Sequence, residues 1–279
     1  DPDFFHRFGK LVSMELQKNS AYSRNKGVMY SYFLADLLKN PRQNVSDIKE
    51  RLKLLGYSLK ETFYIVAIPP VSHSFSDLKL EVILEHLKHI FAGSIYVIYE
   101  DTIVFLISRD MDQNLSEYEI SQLSEYLTAN RLKAGISNFY QHLEDTPRFY
   151  RQAIDSVHLG LKLKDSAPIY YYSDYYLFQM LELYEKEDSE IRFLIHPGLM
   201  KLYFYDQEKN TDFMTTLREY LTQPGQPAKI AENLHIHKNT LLYRMGKIKE
   251  ITDCDFIEGE DFMNFNLSVR IMRYLGMIE

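Results

Sequence analysis

The chain holds one cysteine, Cys254, among 279 residues. A single thiol excludes a disulfide framework and any cysteine-based zinc site, and it agrees with a reducing compartment. Tryptophan is absent, although tyrosine is abundant at 22. Long apolar runs are missing too. None approaches the roughly 18 residues a membrane helix needs, and no signal-peptide pattern opens the chain. A cytoplasmic protein with no membrane partner is therefore expected. No P-loop or dinucleotide fingerprint occurs, no Gly-x-Ser-x-Gly elbow supports a Ser-His-Asp hydrolase, and no cofactor is expected. Charge is not of one sign: 32 Lys+Arg stand against 39 Asp+Glu, a net of −7. That balance argues against wholesale coating of nucleic acid but leaves a local basic patch open.

Apolar residues make up 46% of the chain, enough to bury real cores. Its length exceeds one ordinary domain and predicts two or three. The first residue is Asp1 rather than Met, as in a fragment of a longer chain. Three parts are legible. Residues 1–58 read as a helical segment. "FFHRFGKLVSMELQ" and "GVMYSYFLADLLKN" carry apolar residues at helical spacing, and Asn40-Pro41 stops the second. "NVSDIKERLKLLGY" adds a stripe of Ile48, Leu52 and Leu55, with an imperfect capping box at Ser46 and an end at Gly56.

Residues 59–174 alternate in type. "TFYIVAIPP" is a strand ended by a proline pair, and "SDLKLEVILEHLKHIF" is an amphipathic helix capped by Ser76. "SIYVIYEDTIVFLIS" is a hairpin bent at Glu100-Asp101. "SEYEISQLSEYLTAN" is a helix and "LKAGIS" a strand. "TPRFYRQAIDSVHLGLKL" is a helix with Thr146 and Pro147 at its cap and first turn, and "APIYYYSD" a closing strand. The order β-α-β-β-α-β-α-β predicts an α+β sandwich of ferredoxin-like type, with helices on one face of a mostly antiparallel sheet. Residues 175–279 read as all-helical.

Within that last part, "PAKIAENL", "HIH" and a helix over 237–251 form a candidate helix-turn-helix spanning 226–251. Ile230, Ala231 and Leu234 face inward from the first helix, Ile236 plugs the turn, and Leu241, Met245 and Ile248 continue the stripe. His235 stands where many such turns place glycine, and a left-handed conformation there costs roughly 1 kcal/mol. Burying that stripe leaves His237, Lys238, Asn239, Leu242 and Tyr243 projecting from the front of the helix, with Arg244 and Lys247 flanking. A docked helix of this kind puts its N-terminal half into the major groove of double-stranded DNA. Asparagine can pair with adenine and lysine with guanine. Thr240 and Tyr243 suit phosphate oxygens, and the amides around Gln226 to Lys229 can meet a phosphate. Residues 226–251 hold five Lys/Arg against two acids, a local positive excess inside an acidic chain. The bland alternative is a solvated lysine-rich helix face.

"HIHKNTLLYRMGKIKEIT" closely resembles the helix-turn-helix signature of the PucR/CdaR family of bacterial transcription regulators: a His, a basic residue, Asn-Thr-Leu, then Tyr-Arg. "LMKLYFYDQEKNTDFMTTLREYL" resembles the upstream segment, with Asp206 and the Thr216-Leu217…Tyr220-Leu221 spacing in place, and "DFMNFNLSVRIMRYL" the closing helix. The middle part is similar to the family's degenerate GGDEF-like domain, and "LADLLKN…IKERLKLLGY" to the segment leading into it. The resemblance covers nearly the whole chain and is most specific over 211–274. It implies a transcription factor that binds DNA as a homodimer or higher homo-oligomer. Active GGDEF cyclases carry paired glycines and carboxylates at the hairpin bend. The corresponding "YVIYEDTIVF" keeps only Glu100 and Asp101, so no enzyme is expected. The domain is then expected to hold the dimer, relay a signal or bind a small-molecule effector.

Other candidates are weaker. His235 and His237 have no cysteine beside them, so no metal site is expected. His86 and His89 are expected at a helix surface, and His196-Pro197-Gly198 marks a helix break. "IYYYSDYYLF" gathers five tyrosines at the junction of the second and third parts. They suit an interdomain or dimer interface, or else an aromatic effector pocket. The expected activity is sequence-specific regulation through His237, Lys238, Asn239 and Tyr243, supported on the DNA backbone by Thr240, Arg244 and Lys247. Two rivals stand beside it: a small-molecule sensor whose helix-turn-helix is vestigial or binds protein, and an enzyme built on the middle fold.

Overall fold

The computed structural model describes residues 28–39, 48, 59–70, 80–111, 113–185, 190–256 and 258–278. The predicted first helix, the Asn40-Pro41 stop, the caps at Ser46 and Ser76, and all of "NVSDIKERLKLLGY" except Ile48 lie outside those residues. The chain divides into two compact units between Tyr176 and Leu177.

In the first unit α1 (28–39) precedes β1 (Thr62–Ile68), α2 (Leu80–Ile90), β2 (Ile95–Tyr99), β3 (Thr102–Arg109), α3 (Glu117–Ala129), β4 (Ala134–Ile136), α4 (Thr146–Lys162) and β5 (Ile169–Tyr171). The sheet order is β2-β3-β1-β4-β5. β1 pairs antiparallel with β3, from Thr62 opposite Arg109 to Ile68 opposite Ile103, and antiparallel with β4. β4 and β5 run parallel. The strand and helix order matches the one legible in the sequence, but the layering does not. Ile65 and Ala67 of β1, with Val104 and Leu106 of β3, pack in one core with Phe33, Leu34 and Leu37 of α1 and Ala153 of α4. Val66, Ile68, Ile103, Phe105 and Ile107 pack in a second core with Ile83 and Leu87 of α2 and Leu123 and Leu127 of α3. Helices therefore cover both faces, not one. The reason is visible in "FYIVAI" and "IVFLI": these are continuous apolar runs, and such strands bury both sides.

Local chemistry fixes the helix ends. Ser116 caps α3 by accepting from the Glu119 amide at 3.2 Å, while Glu119 accepts from the Ser116 amide at 2.9 Å. Glu119 also takes the Arg109 guanidinium, tying α3 to the end of β3. Thr146, expected as a cap, is instead a fully buried first residue of α4, and its hydroxyl donates to the Leu143 carbonyl at 2.7 Å. A short 3-10 turn, Leu143–Asp145, feeds the helix directly and leaves no extended residue to cap it.

The tyrosine-rich junction splits three ways. Tyr170 is fully buried, with its ring against Gly160 and its hydroxyl donating to the Asp165 carbonyl at 2.8 Å. Burial pushes that hydroxyl up to about 12 and keeps it a donor. Tyr175 donates to the Asp165 carboxylate at 2.7 Å and meets Tyr170 edge-on. Tyr171 and Tyr172 are half-buried and Tyr176 is exposed. No break follows β5: α5 (Tyr172–Glu185) starts on the next residue, five positions before the helix that "LFQMLELYEK" suggests.

β4 lies so close to α4 that only glycine fits. A Cβ on Gly135 would sit 1.8 Å from the Ala153 carbonyl oxygen. Gly135→Ala is expected to lower stability by about 1–3 kcal/mol or more, read as a drop in the denaturant midpoint. Gly246→Ala, where nothing lies within 4 Å of the added methyl, is expected to raise it by about 0.5–1 kcal/mol.

Candidate nucleic-acid interface

The second unit contains α6 (Pro197–Lys209), α7 (Phe213–Thr222), α8 (Pro227–Asn233), α9 (Lys238–Thr252) and α10 (Gly259–Tyr274). α8 starts on Pro227, whose missing N–H is no loss at a first helical position. Its exit is the tight turn expected of a helix-turn-helix. His235 is left-handed with φ 52°. Its amide donates to Glu232 O at 3.0 Å, and the Ile236 amide reaches back to Ala231 O at 2.9 Å. The chain straightens at His237, which caps α9: its Nδ1 accepts from the Asn239 amide at 3.3 Å.

Ile230, Ala231 and Leu241 form the buried junction of the two helices, with Tyr220, Leu234, Ile236 and Met245 packed around it. Ile248 and Thr252 carry the buried stripe down α9, and α9 packs on α6, α7 and α8. Two polar anchors brace this frame. Asp206, buried on α6, accepts from the Phe213 amide at 3.1 Å and the Met214 amide at 2.7 Å, and takes the Thr211 hydroxyl as well. It thereby satisfies the first amides of α7, which has no side-chain cap of its own. Arg244 donates from Nη1 to the hydroxyl of fully buried Thr216 at 3.0 Å, tying α9 to α7.

The residues named from sequence therefore fall into two groups. His237, Lys238, Asn239, Thr240 and Tyr243 are all exposed, and Leu242 is exposed beside them. Arg244 and Lys247 are half-buried at the edges. Arg244 is turned to Thr216, and Lys247 pairs with Glu250 at 2.7 Å. Lys249 pairs with Asp255 at 2.8 Å. Lys229 and Lys238 make no ion pair among the described residues. The first turn of α9 holds no acid, and Lys238 stands at its positive pole. Helix dipoles disfavour a cation there by some tenths of a kcal/mol, and they favour an incoming anion. Periodicity alone could not find the Arg244–Thr216 bond, because its partners lie 28 residues apart.

Among the described residues, the first unit supplies no comparable feature. Glu100 and Asp101 form the exposed tip of the β2–β3 hairpin, both left-handed at φ 47° and 60°. No cluster of three or more His, Cys, Asp or Glu able to hold a metal occurs among the described residues. His86 stacks on Tyr126 at 4.2 Å, and His196 caps α6 by accepting from the Gly198 amide at 3.1 Å.

The left-handed turn makes His235 a point of strain. His235→Gly is expected to hold stability or raise it by up to about 1 kcal/mol, and His235→Val to lower it by at least as much. Denaturant midpoints of the two variants check this; equal losses would assign the turn's stability to histidine contacts rather than to backbone conformation.

Known proteins share both units. Residues 213–271 match the PucR C-terminal helix-turn-helix domain, and residues 40–159 match the GGDEF-like domain. The chain is 21% identical to the purine catabolism regulatory protein of Bacillus subtilis over 95% of its length and 53% of that protein. It is 28% identical to the proline-responsive transcriptional activator PutR of Bacillus subtilis over 50% of the chain and 34% of that protein. It is 28% identical to the carbohydrate diacid regulator of Escherichia coli over 52% of the chain and 36% of that protein. The chain spans about half the length of the first of these relatives and about a third of the other two. No helix among the described residues is long and apolar enough to cross a membrane. A GGDEF-like domain thus precedes a PucR-type helix-turn-helix domain, and the chain is similar to regulators of the PucR/CdaR type.

Proposed function

We propose that the chain is a sequence-specific, DNA-binding transcription regulator, with the N-terminal half of α9 entering the major groove. The observation that carries this reading is the front of α9. There His237, Lys238 and Asn239 are exposed, no acid offsets them in the first turn, and a lysine sits at the positive pole of the dipole. Lys238 and Asn239 are chemically suited to guanine and adenine edges. His237 and Tyr243 flank them on the same exposed end. Thr240 suits a phosphate oxygen, and Lys247 reaches one by leaving its exposed partner Glu250, a pair worth little in water. A phosphate contact by Arg244 would give up its bond to Thr216, so its part is to hold α9 at the right rotation.

Residues 175–279 are then the DNA-binding part and residues 59–174 a non-catalytic regulatory part. The hairpin tip that would take a nucleotide in a cyclase has two side chains where glycines would let the backbone approach. We assign this part to dimer formation, signal relay or binding of a small-molecule effector. A homodimer or higher homo-oligomer follows from reach: one helix-turn-helix touches few base pairs, and two read a palindrome. A cytoplasmic location is implied by the DNA partner.

Titration of fluorescent duplex DNA with the chain tests the reading. Affinity is expected to fall steeply between about 50 and 200 mM salt. Lys238→Ala should reduce the slope of log affinity on log salt by about 0.9, whereas Arg244→Ala should weaken folding and binding while leaving the slope unchanged. No duplex binding even at low salt would leave a sensor whose helix-turn-helix is vestigial. Asn239→Ala is expected to cost about 1–3 kcal/mol on the selected sequence and little on random DNA. Equal loss on both would make Asn239 a phosphate contact. Product formation from GTP or ATP with magnesium would contradict the non-catalytic assignment.

A further inference from the structure

The face that α9 offers contains one side chain with no polar role. Leu242 is 57% exposed, although it lies in the second turn of a helix whose other leucine, Leu241, is buried. A lone exposed leucine is ordinary on a protein surface. Its surroundings are what give it meaning. Three residues before it is Asn239, four before it is Lys238, beside it is Tyr243, and four after it is Gly246, with open space around its α-carbon. Helical side chains lean back toward the N-terminus. Leu242 therefore lies over the turn that carries Lys238 and Asn239, and no side chain from Gly246 covers it from the following turn.

Spacing ties Leu242 to a particular kind of contact. Three residues advance an α-helix by about 4.5 Å, against about 3.4 Å for one step along a DNA strand. A base pair addressed by Asn239 thus has a neighbour within reach of Leu242. A leucine can neither donate nor accept a hydrogen bond. The one apolar group that the major groove displays on a base edge is the 5-methyl of thymine. Resting on the DNA-binding reading above, we infer that Leu242 is a specificity-determining residue. It packs its side chain on the methyl group of a thymine one base step from the pair addressed by Asn239.

Duplexes selected by the chain from a random-sequence library supply the probe. Each thymine of the selected site is replaced singly by deoxyuridine, which removes the methyl and keeps every hydrogen-bonding group. At one position, next to the pair whose contribution Asn239→Ala abolishes, affinity should fall about fourfold, the worth of one apolar carbon taken out of water. Leu242→Ala should weaken binding to the thymine duplex by a similar or larger factor and bind the thymine and deoxyuridine duplexes equally. Because Leu242 is exposed, the variant should melt with the parent chain, which separates the effect from misfolding. A selected site without thymine, indifference to deoxyuridine at every position, or a uridine penalty that survives in Leu242→Ala would overturn the assignment and leave DNA binding intact. Failure to select any duplex would overturn the DNA-binding reading together with this one.

Discussion

Burial of Ile230, Ala231 and Leu241 against one another is the constraint on which the second unit depends. It sets the rotation of α9 about its own axis and therefore which side chains point away. Full burial of an isoleucine or leucine is worth about 1.5–3 kcal/mol. The left-handed histidine that lets the two helices meet costs roughly 1 kcal/mol. Burial wins, and the turn is held in a conformation that His235 would not choose alone. Ala231 matters by being small: a larger side chain there would push the helices apart and turn the outer row of α9 away from its present direction.

Polar anchors then make that rotation specific rather than merely favourable. An apolar junction tolerates slippage, whereas a hydrogen bond has direction. Asp206 holds the start of α7 through two backbone amides, and Arg244 reaches from α9 to Thr216 on the same helix. Removing Asp206 would leave the Phe213 and Met214 amides unpaired in a buried setting, which costs more than the bonds themselves are worth, whereas without Arg244 the Thr216 hydroxyl keeps its bond to the Asp212 carbonyl. The contrast with Lys238 and Asn239 is informative. Two neighbouring turns of one helix carry cationic and amide side chains, and only the more C-terminal arginine is tied down within the fold.

Much of this was readable from sequence because it is local. A period near four residues marks the buried stripe from Ile230 to Ile248, and a β-branched and aromatic bias marks the strands. The failures share a cause, since each depends on a partner outside the stretch being read. The second helical layer was missed although the unbroken apolar runs of β1 and β3 announced it. Thr146 looked like a cap because the 3-10 turn before it is invisible to pattern reading. Tyr170 and Tyr175 looked like interface residues because nothing in "IYYYSDYYLF" reveals that Asp165 receives both hydroxyls. The bond from Arg244 to Thr216, 28 residues away, is hidden from sequence for the same reason.

Charge also supports the proposal that the front of α9 is the DNA-reading end. The chain as a whole is acidic, at −7, whereas residues 226–251 hold five Lys/Arg against two acids. A polyanion is drawn to basic regions of an otherwise acidic chain, so electrostatics favours approach to this module before any base is read. Lys247 and Lys249 already have acidic partners in Glu250 and Asp255, which removes much of the attraction from the rear of the helix. Lys229 and Lys238 keep theirs. The field therefore leads an anion toward the turn and the first residues of α9, where the dipole adds to it. There it meets the side chains best suited to telling one base pair from another.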